Sequence, residues 1–489
     1  MASNVLFSRF TAVISDLHLC EAAEPHPASP LWKKFKSREF FFDEAFQQFL
    51  FLLKKMASNE PIELILNGDI FDFDSVMALP SDPPYRISWL EKLRGMHAEE
   101  PKSAYKMRKI LEDHPVLISS LREFILLGNR VIFVIGNHDL ELHYEEVQNV
   151  ILDSLDLPEE WKSSVVFNEF FYVSNQDTLV EHGNQYDPYC VCQNPISPFI
   201  QKFNKIEVRQ PFGNLASRYM INGMGFFNPH SDSNYIMTLP EYFRFFFKYM
   251  LRAQPLIIWA WFWGASMSLF QSFLERLLPE VKDPLEIEDR VEDIARKANA
   301  TPRMVRELIE LKVHPASSYP LVIARELWLD RAFIVMIFFL VMYLVSITVK
   351  LLWSVSLFWI FIPLFLFLPF FIFYSKSISS KTLAYKEPKE RVLTTAAHIT
   401  GAKRIIYGHT HIIRHEMIGA VEHLNCGTWS PAFKDVECTL PVGHKNFVWL
   451  EPDGEGGRKA TLYEFLGTRA RPVFRQSPQL KRVHRRASS

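Results

Sequence analysis

Apolar and polar positions along the first 190 residues follow two periods. Short apolar runs at 11–15, 62–66 and 131–135 read as strands, and each ends on a polar cluster: Asp16, then Asn67-Gly68-Asp69, then Gly136-Asn137-His138-Asp139. Between them, residues 40–56 place Phe42, Phe46, Phe49, Leu50 and Leu53 at helical spacing. Residues 103–127 are helical again and stop at Gly128, a residue suited to a helix C-terminus. Strand, helix, strand, helix predicts an α/β sandwich, in which ligands gather beyond the C-terminal strand ends. The soluble pattern returns late in the chain. Residues 404–407 read as a strand leading into Gly408, and 448–450 and 460–465 flank Asp453-Gly454 as a closing β-hairpin.

Near Pro240 the pattern changes. Residues 242–252 mix Phe245, Phe246, Phe247 and Tyr249 with Arg244, Lys248 and Arg252, a blend suited to a membrane–water interface. Residues 255–273 form a mostly apolar stretch with Trp259, Trp261 and Trp263. Residues 285–313 read as charged helix, interrupted where Thr301-Pro302 supplies an N-cap and an N1 proline. Residues 333–374 are about twice as long as the roughly 20 residues a bilayer span needs, and Lys350 is their only charge. They predict a helical hairpin, 332–348 and 351–373, with Lys350 at the far turn where it reaches headgroups or water. Arg325 and Arg331 precede the run and Lys376, Lys381 and Lys386 follow it, which predicts both ends, and the catalytic domain, in the cytoplasm. The expected units are 1–239 and 387–467 as two parts of one domain, 240–386 as a membrane-associated helical insertion, and 468–489 as a basic, disordered tail.

Over 489 residues the formal net charge is -1, so no global positive field points to nucleic acid as a partner. Cys20, Cys190, Cys192, Cys426 and Cys438 include no CxxC pair and fit reduced, structural thiols rather than a disulfide framework. The first residues lack the charged and apolar regions of a secretory signal.

Five blocks carry the chemistry: Asp16-Leu17-His18, Gly68-Asp69-Ile70-Phe71-Asp72, Gly136-Asn137-His138-Asp139, His182-Gly183, and Gly408-His409-Thr410-His411. Asp16 with His18, and His409 with His411, stand at i and i+2, which on an extended strand end point to one side. The glycines permit sharp turns and close backbone approach where strands end. Carboxylate, imidazole and amide oxygen together suit Mn, Fe or Zn better than Mg or Ca. Any one block occurs by chance; all five in this order are poorly explained as structure alone. Around His182, Asn184 and Asp187 are candidate substrate contacts, with an Asx turn as the plainer reading. Asp74 is expected in a solvated loop, and His143, His230 and His398 have no motif context.

The set resembles the calcineurin-like metallophosphoesterase superfamily over about residues 10–190 and 390–467. The resemblance implies a four-layer α/β/β/α sandwich and a dinuclear metal centre. It implies that Asp16, His18 and His411 hold one ion, Asn137, His182 and His409 the other, and that Asp69 bridges both with a water or hydroxide. His138 would be the non-ligand histidine that serves the leaving oxygen, and Asp139 would orient it. Chemistry agrees: two ions acidify a shared water and clamp a phosphoryl group for in-line attack, histidine is the natural proton donor near neutral pH, and a carboxylate (Asp139 or Asp72) can fix its tautomer. Asp16-Leu17-His18-Leu19 and the apolar insertion are also similar to the UDP-2,3-diacylglucosamine pyrophosphohydrolase branch. The insertion here is far longer, and Gly-Asn-His-Asp replaces that branch's Gly-Asn-Arg-Asp.

Because the blocks on either side of the insertion must meet, the chain between them crosses a membrane an even number of times. One hairpin satisfies this, so 242–273 is expected to lie at the interface or re-enter, and the sequon Asn299-Ala300-Thr301 to stay unmodified. The expected function is membrane-bound hydrolysis of a phosphoester or pyrophosphate, with two divalent ions, Mn foremost, on a lipid-linked substrate such as a UDP-diacylglucosamine-like compound. The alternatives are a nuclease or soluble-phosphodiester phosphodiesterase with the insertion as plain anchor, and a non-catalytic membrane scaffold of the same fold.

Overall fold

The computed structural model describes residues 6–24, 27, 29–225, 244, 247–248, 257–281, 284–353, 356–377, 388–433 and 435–474. The expectations for most of 242–252, for His230, for Lys381 and Lys386, and for the basic tail from 475 lie outside the described residues.

In chain order the strands are β1 (Phe10–Ile14), β2 (Ile62–Asn67), β3 (Arg130–Val134), β4 (Val165–Asn168), β5 (Phe171–Ser174), β6 (Thr178–Glu181), β7 (Phe199–Lys202) and β8 (Lys205–Val208). After the insertion come β9 (Arg404–Tyr407), β10 (Arg414–Ile418), β11 (Val421–Asn425), β12 (Ala432–Phe433), β13 (Pro441–Val442), β14 (Asn446–Pro452), β15 (Arg458–Phe465) and β16 (Ala470–Pro472). One sheet has the order β16-β15-β14-β1-β2-β3-β4 and the other β10-β11-β9-β6-β5. β1 to β4 are mutually parallel, as the alternation with helices predicts. β2 is buried along its whole length, which suits a strand covered on both faces.

The two sheets face each other through Val13, Ile65, Ile132 and Val448 on one side and Tyr172, Val180, Ile406 and Leu424 on the other. On the outer face of the first sheet, Phe46, Phe49 and Leu53 of the helix Asp43–Met56 join Met107, Leu121 and Val147 from neighbouring helices. The expected helix at 103–127 is in fact two, Glu100–Asp113 and Pro115–Leu126. Pro115 has no N–H for the ladder and pushes His114 out of the α region, so the helix breaks there.

The fourth layer holds a surprise about the insertion. Helices Pro284–Lys297 and Pro302–Ile309 pack Val291, Ile294, Val305 and Leu308 on the outer face of the second sheet, beside Leu393 and Ala396 of Glu390–Thr400. They lie within the stretch 240–386 expected to be membrane-associated, yet their apolar stripe covers the sheet. Thr301 caps the second of them through Met304 N, as its position before Pro302 predicts. Asn299 is occupied internally, bonding Leu6 and the Val173 carbonyl.

The helix Ile257–Leu277 lies on the two-sheet body. Its Gly264 fits against the backbone of Tyr219 and Met220, Ser268 Oγ donates to the Leu215 carbonyl, and the chain just after it pairs with β7. Beyond Pro320–Glu326, two apolar helices project: Leu329–Leu352, and Phe361–Ser377 after a short 3-10 turn. Phe338 stacks on Phe367, and Tyr374 donates to Asp330 at the base of the pair. The first helix runs further than the expected 332–348, because no glycine or proline interrupts it before Trp353. Lys350 thus sits exposed in its last turn, not beyond it. Leu329–Leu352 is long and apolar enough to cross a bilayer, and its apolar window is not buried by the rest of the protein.

Candidate metal centre

Each block sits where a strand ends and the backbone turns sharply. Asp16 (φ 55°), His18 (49°), Asp69 (52°), His409 (64°) and His411 (57°) all adopt left-handed backbone. The expectation of extended strand ends for the i, i+2 pairs is therefore wrong in geometry. A conformation that costs non-glycine residues free energy recurs at all five, which marks a shaped site rather than plain loops. Two glycines make the close approach possible. A Cβ on Gly136 would fall on the Asp69 carboxylate, and one on Gly408 would lie 2.6 Å from Asp16 Oδ2.

The side chains converge in two groups. Asp16, His18 and His411 lie together, with His411 Nε2 3.2 Å from Asp16 Oδ1 and 3.3 Å from His18 Nε2. Asp69, His182 and His409 form the second group, with His182 Nε2 3.1 Å from Asp69 Oδ2. His18, Asp69 and His138 form a further close set that joins the two. The two histidines of Gly408-His409-Thr410-His411 thus go to different groups. Asn425, at the end of β11, shapes that turn by donating to the Gly408 carbonyl and Thr410 Oγ1. The Asp16 carbonyl in turn receives the backbone N–H groups of Trp429 and Ser430 and the Thr428 hydroxyl.

Asn137 supplies the clearest test of whether metal ions fit. It is 1 % exposed, its Nδ2 donates to Asn214 Oδ1 (3.3 Å), and its own Oδ1 accepts no hydrogen bond. A buried amide oxygen without a donor is costly unless a cation faces it. Carboxylates, imidazoles and that oxygen fit a pair of divalent ions.

The charged groups of the site act on one another. Burial resists charge on Asp69, but His182 and then His138 outweigh it and hold the carboxyl well below its usual range. Burial likewise opposes a charged His138, and Asp69, the hydrogen-bonded Asp72 and then Asp74 outweigh it, raising the imidazole to about 10. Its Nδ1 lies 3.5 Å from Asp72 Oδ1 and 3.7 Å from Asp74 Oδ2.

That arrangement corrects two expectations. Asp139 does not orient His138: its oxygens receive the N–H groups of Gly136 (2.6 Å) and Ile70 (2.8 Å), tying two site loops together. Burial and then Asp69 push its own carboxyl up to about 7. Asp74 is not a solvated loop residue but buried, paired with Arg218 at 2.7 Å. Asn184 is buried, its amide donating to the Cys190 carbonyl inside its own loop. Asp187 does close the Asx turn through Tyr189 N, and its second oxygen sits 3.0 Å from His409 Nε2, where it fixes the ring. Among the described residues the cysteines are free, as expected.

Arg218, Asn214 and Asn425 escaped sequence reading because no spacing ties them to the blocks. The only hint was their proximity, in sequence, to an unexplained insertion or to a strand end.

The family model described as calcineurin-like phosphoesterase matches residues 11–215. That span contains Asp16 through His182 and ends before His409 and His411. No curated protein matches the chain.

Proposed function

Because the chain belongs to the metallophosphoesterase superfamily through residues 11–215, we propose that it is a membrane-anchored, two-metal hydrolase acting on a lipid-linked phosphoester or pyrophosphate. The observation that carries the hydrolase reading is the convergence of seven side chains from five blocks, with the Asn137 oxygen left without a donor. Asp16, His18 and His411 would hold one ion, Asn137, His182 and His409 the other, and Asp69 both. Bound there, two divalent ions supply an acidified water and neutralise charge on the phosphoryl oxygens. Mn is the ion we propose, ahead of Fe or Zn.

The protein's own groups do the rest. His138 stands outside both ligand sets, its Nδ1 beside Asp72 and Asp74, and Asp69 and then these two carboxylates favour its charged form. It serves the leaving oxygen as a proton and charge donor. Asp187 holds the His409 ring, and Asp139 locks the Ile70 and Gly136 loops in register.

The anchor reading rests on the projecting hairpin. A 24-residue helix is about 36 Å long, enough for a ~30 Å hydrocarbon core. Large apolar surfaces of this kind are rare on soluble proteins. Since both halves of the site lie in one body, Leu329–Leu352 and Phe361–Ser377 cross together or not at all, with the catalytic domain on the cytoplasmic side. An insertion that brings the site to the bilayer favours a substrate that is itself a lipid.

The test is Mn-supplemented hydrolysis of an aryl phosphodiester and of lipid-linked pyrophosphates, wild type beside Asp69→Ala. We expect the lipid-linked substrates to be cleaved faster and the variant to be inactive. Wild-type inactivity on every substrate with metal bound would point to a scaffold.

A further inference from the structure

We propose that Asn214 and Arg218, on the segment leading into the insertion, are positioning residues of the metal centre: they turn Asn137 toward its ion and hold Asp74 against His138. The inference rests on the two-metal reading above. No motif in the sequence points to it, since neither residue belongs to a block.

Asn214 is fully buried and makes three contacts in the site. Its Oδ1 accepts from Asn137 Nδ2 at 3.3 Å, and its Nδ2 donates to the Asn137 carbonyl at 2.7 Å and to Asp74 Oδ2 at 2.6 Å. An amide presents one donor side and one acceptor side. With the donor side of Asn137 engaged by Asn214, only its oxygen is left to face the centre, and that oxygen has no other partner. Asn214 therefore selects the orientation in which Asn137 can ligate.

Arg218 acts one step further out. Its guanidinium, 2 % exposed, pairs with Asp74 Oδ1 at 2.7 Å, while Asn222 donates to the Asp74 carbonyl at 2.7 Å. Asp74 is thus gripped from three sides, and its second oxygen faces both Asn214 and His138. The residues Ser217–Ile221 form a π-helical turn between Phe212–Ala216 and Asn222–Met224. One extra residue per turn changes which side chains point inward, a device that recurs at functional sites. The helix Ile257–Leu277 clamps this turn from outside through Gly264 and Ser268. The insertion is therefore braced against the metal centre through Arg218 and Asn214.

The experiment is calorimetric Mn titration of the full-length protein in detergent, with thermal unfolding followed alongside. Wild type should bind two ions. Asn214→Ala should weaken one of the two by ~10–100-fold, the range for lost outer partners of metal ligands, and leave the other unchanged. Arg218→Lys keeps the buried charge and should weaken the same ion less, which keeps the question open to measurement even if Asn214→Ala does not fold. Arg218→Met with Asp74→Asn should lose less than the sum of the two single changes, because the pair acts together. Unchanged affinity for both ions in folded Asn214→Ala, or equal weakening of both, would overturn the proposal. Fewer than two ions on wild type would overturn it together with the two-metal reading. If one site weakens as expected although wild type cleaves no phosphoester, the brace stands and the hydrolase reading falls.

Discussion

His138 shows how much a single residue's role depends on its neighbours. Its position after Asn137 suggests chemistry, but the carboxylates of Asp69, Asp72 and Asp74, brought to it by the fold, favour the charge it would use. His138→Ala should lower turnover by ~10²–10⁴-fold, the usual reach of a positioned proton donor, while leaving two ions bound. Equal loss of metal would make it a ligand instead. Gly136 carries a steric demand of a different kind. Gly136→Ala puts a methyl on the Asp69 carboxylate, so metal affinity should fall ~10-fold or more, read by the same titration. A third residue, His423, sets a pH dependence of stability. Burial, partly offset by Glu416, draws it from 6.5 down to about 4. The unfolded chain takes up a proton near pH 6.5 that the folded state refuses, so stability is complete above that pH and is lost as pH falls toward 4. A gap of this size amounts to about 3 kcal/mol. Urea titrations of His423→Gln across that window should show a flatter slope than wild type; an unchanged slope would assign the effect to other groups.

Among the elements, the strands were legible because short apolar runs ended on polar blocks, and β1, β2, β3 and β9 lie within a residue of where the pattern put them. Helices were harder. The break at His114-Pro115 was there to be read, yet the apolar period continues across it and hides the change of axis. Pro284–Lys297 and Pro302–Ile309 were assigned to the membrane module by position in the chain, although their charged faces and narrow apolar stripes suit a sheet cover better than a bilayer. The hairpin Leu329–Leu352 and Phe361–Ser377 makes its own prediction. Aspartate at both Phe339 and Leu344, exposed near the middle of the first helix, should release the protein from membranes in alkaline extraction. The sandwich should retain its thermal transition, since neither side chain touches it. Retention in the pellet would sink the anchor.

At the scale of the whole molecule, the site is assembled from residues separated by an insertion of over a hundred residues, and that separation constrains topology. The helix Ile257–Leu277 returns to β7, and the helices after it cover the second sheet, so among the described residues it is the hairpin that is left to enter a bilayer. Reporter fusions at Asp289 and Lys312 should fall on the same side as one near His182; opposite sides would break the proposed arrangement. Thermal stability and metal content should also respond together to changes at the Arg218 turn, because insertion and site share it.

By itself the sequence determined the five polar blocks, the strands that carry them and the apolar hairpin, since each is a local pattern of residue types. What only tertiary structure decided was which carboxylate faces His138, which way the Asn137 amide turns, and where the insertion's charged helices belong. Those depend on side chains brought together from distant segments. A period or a spacing records what a segment can bury or bind, not which partner it will meet.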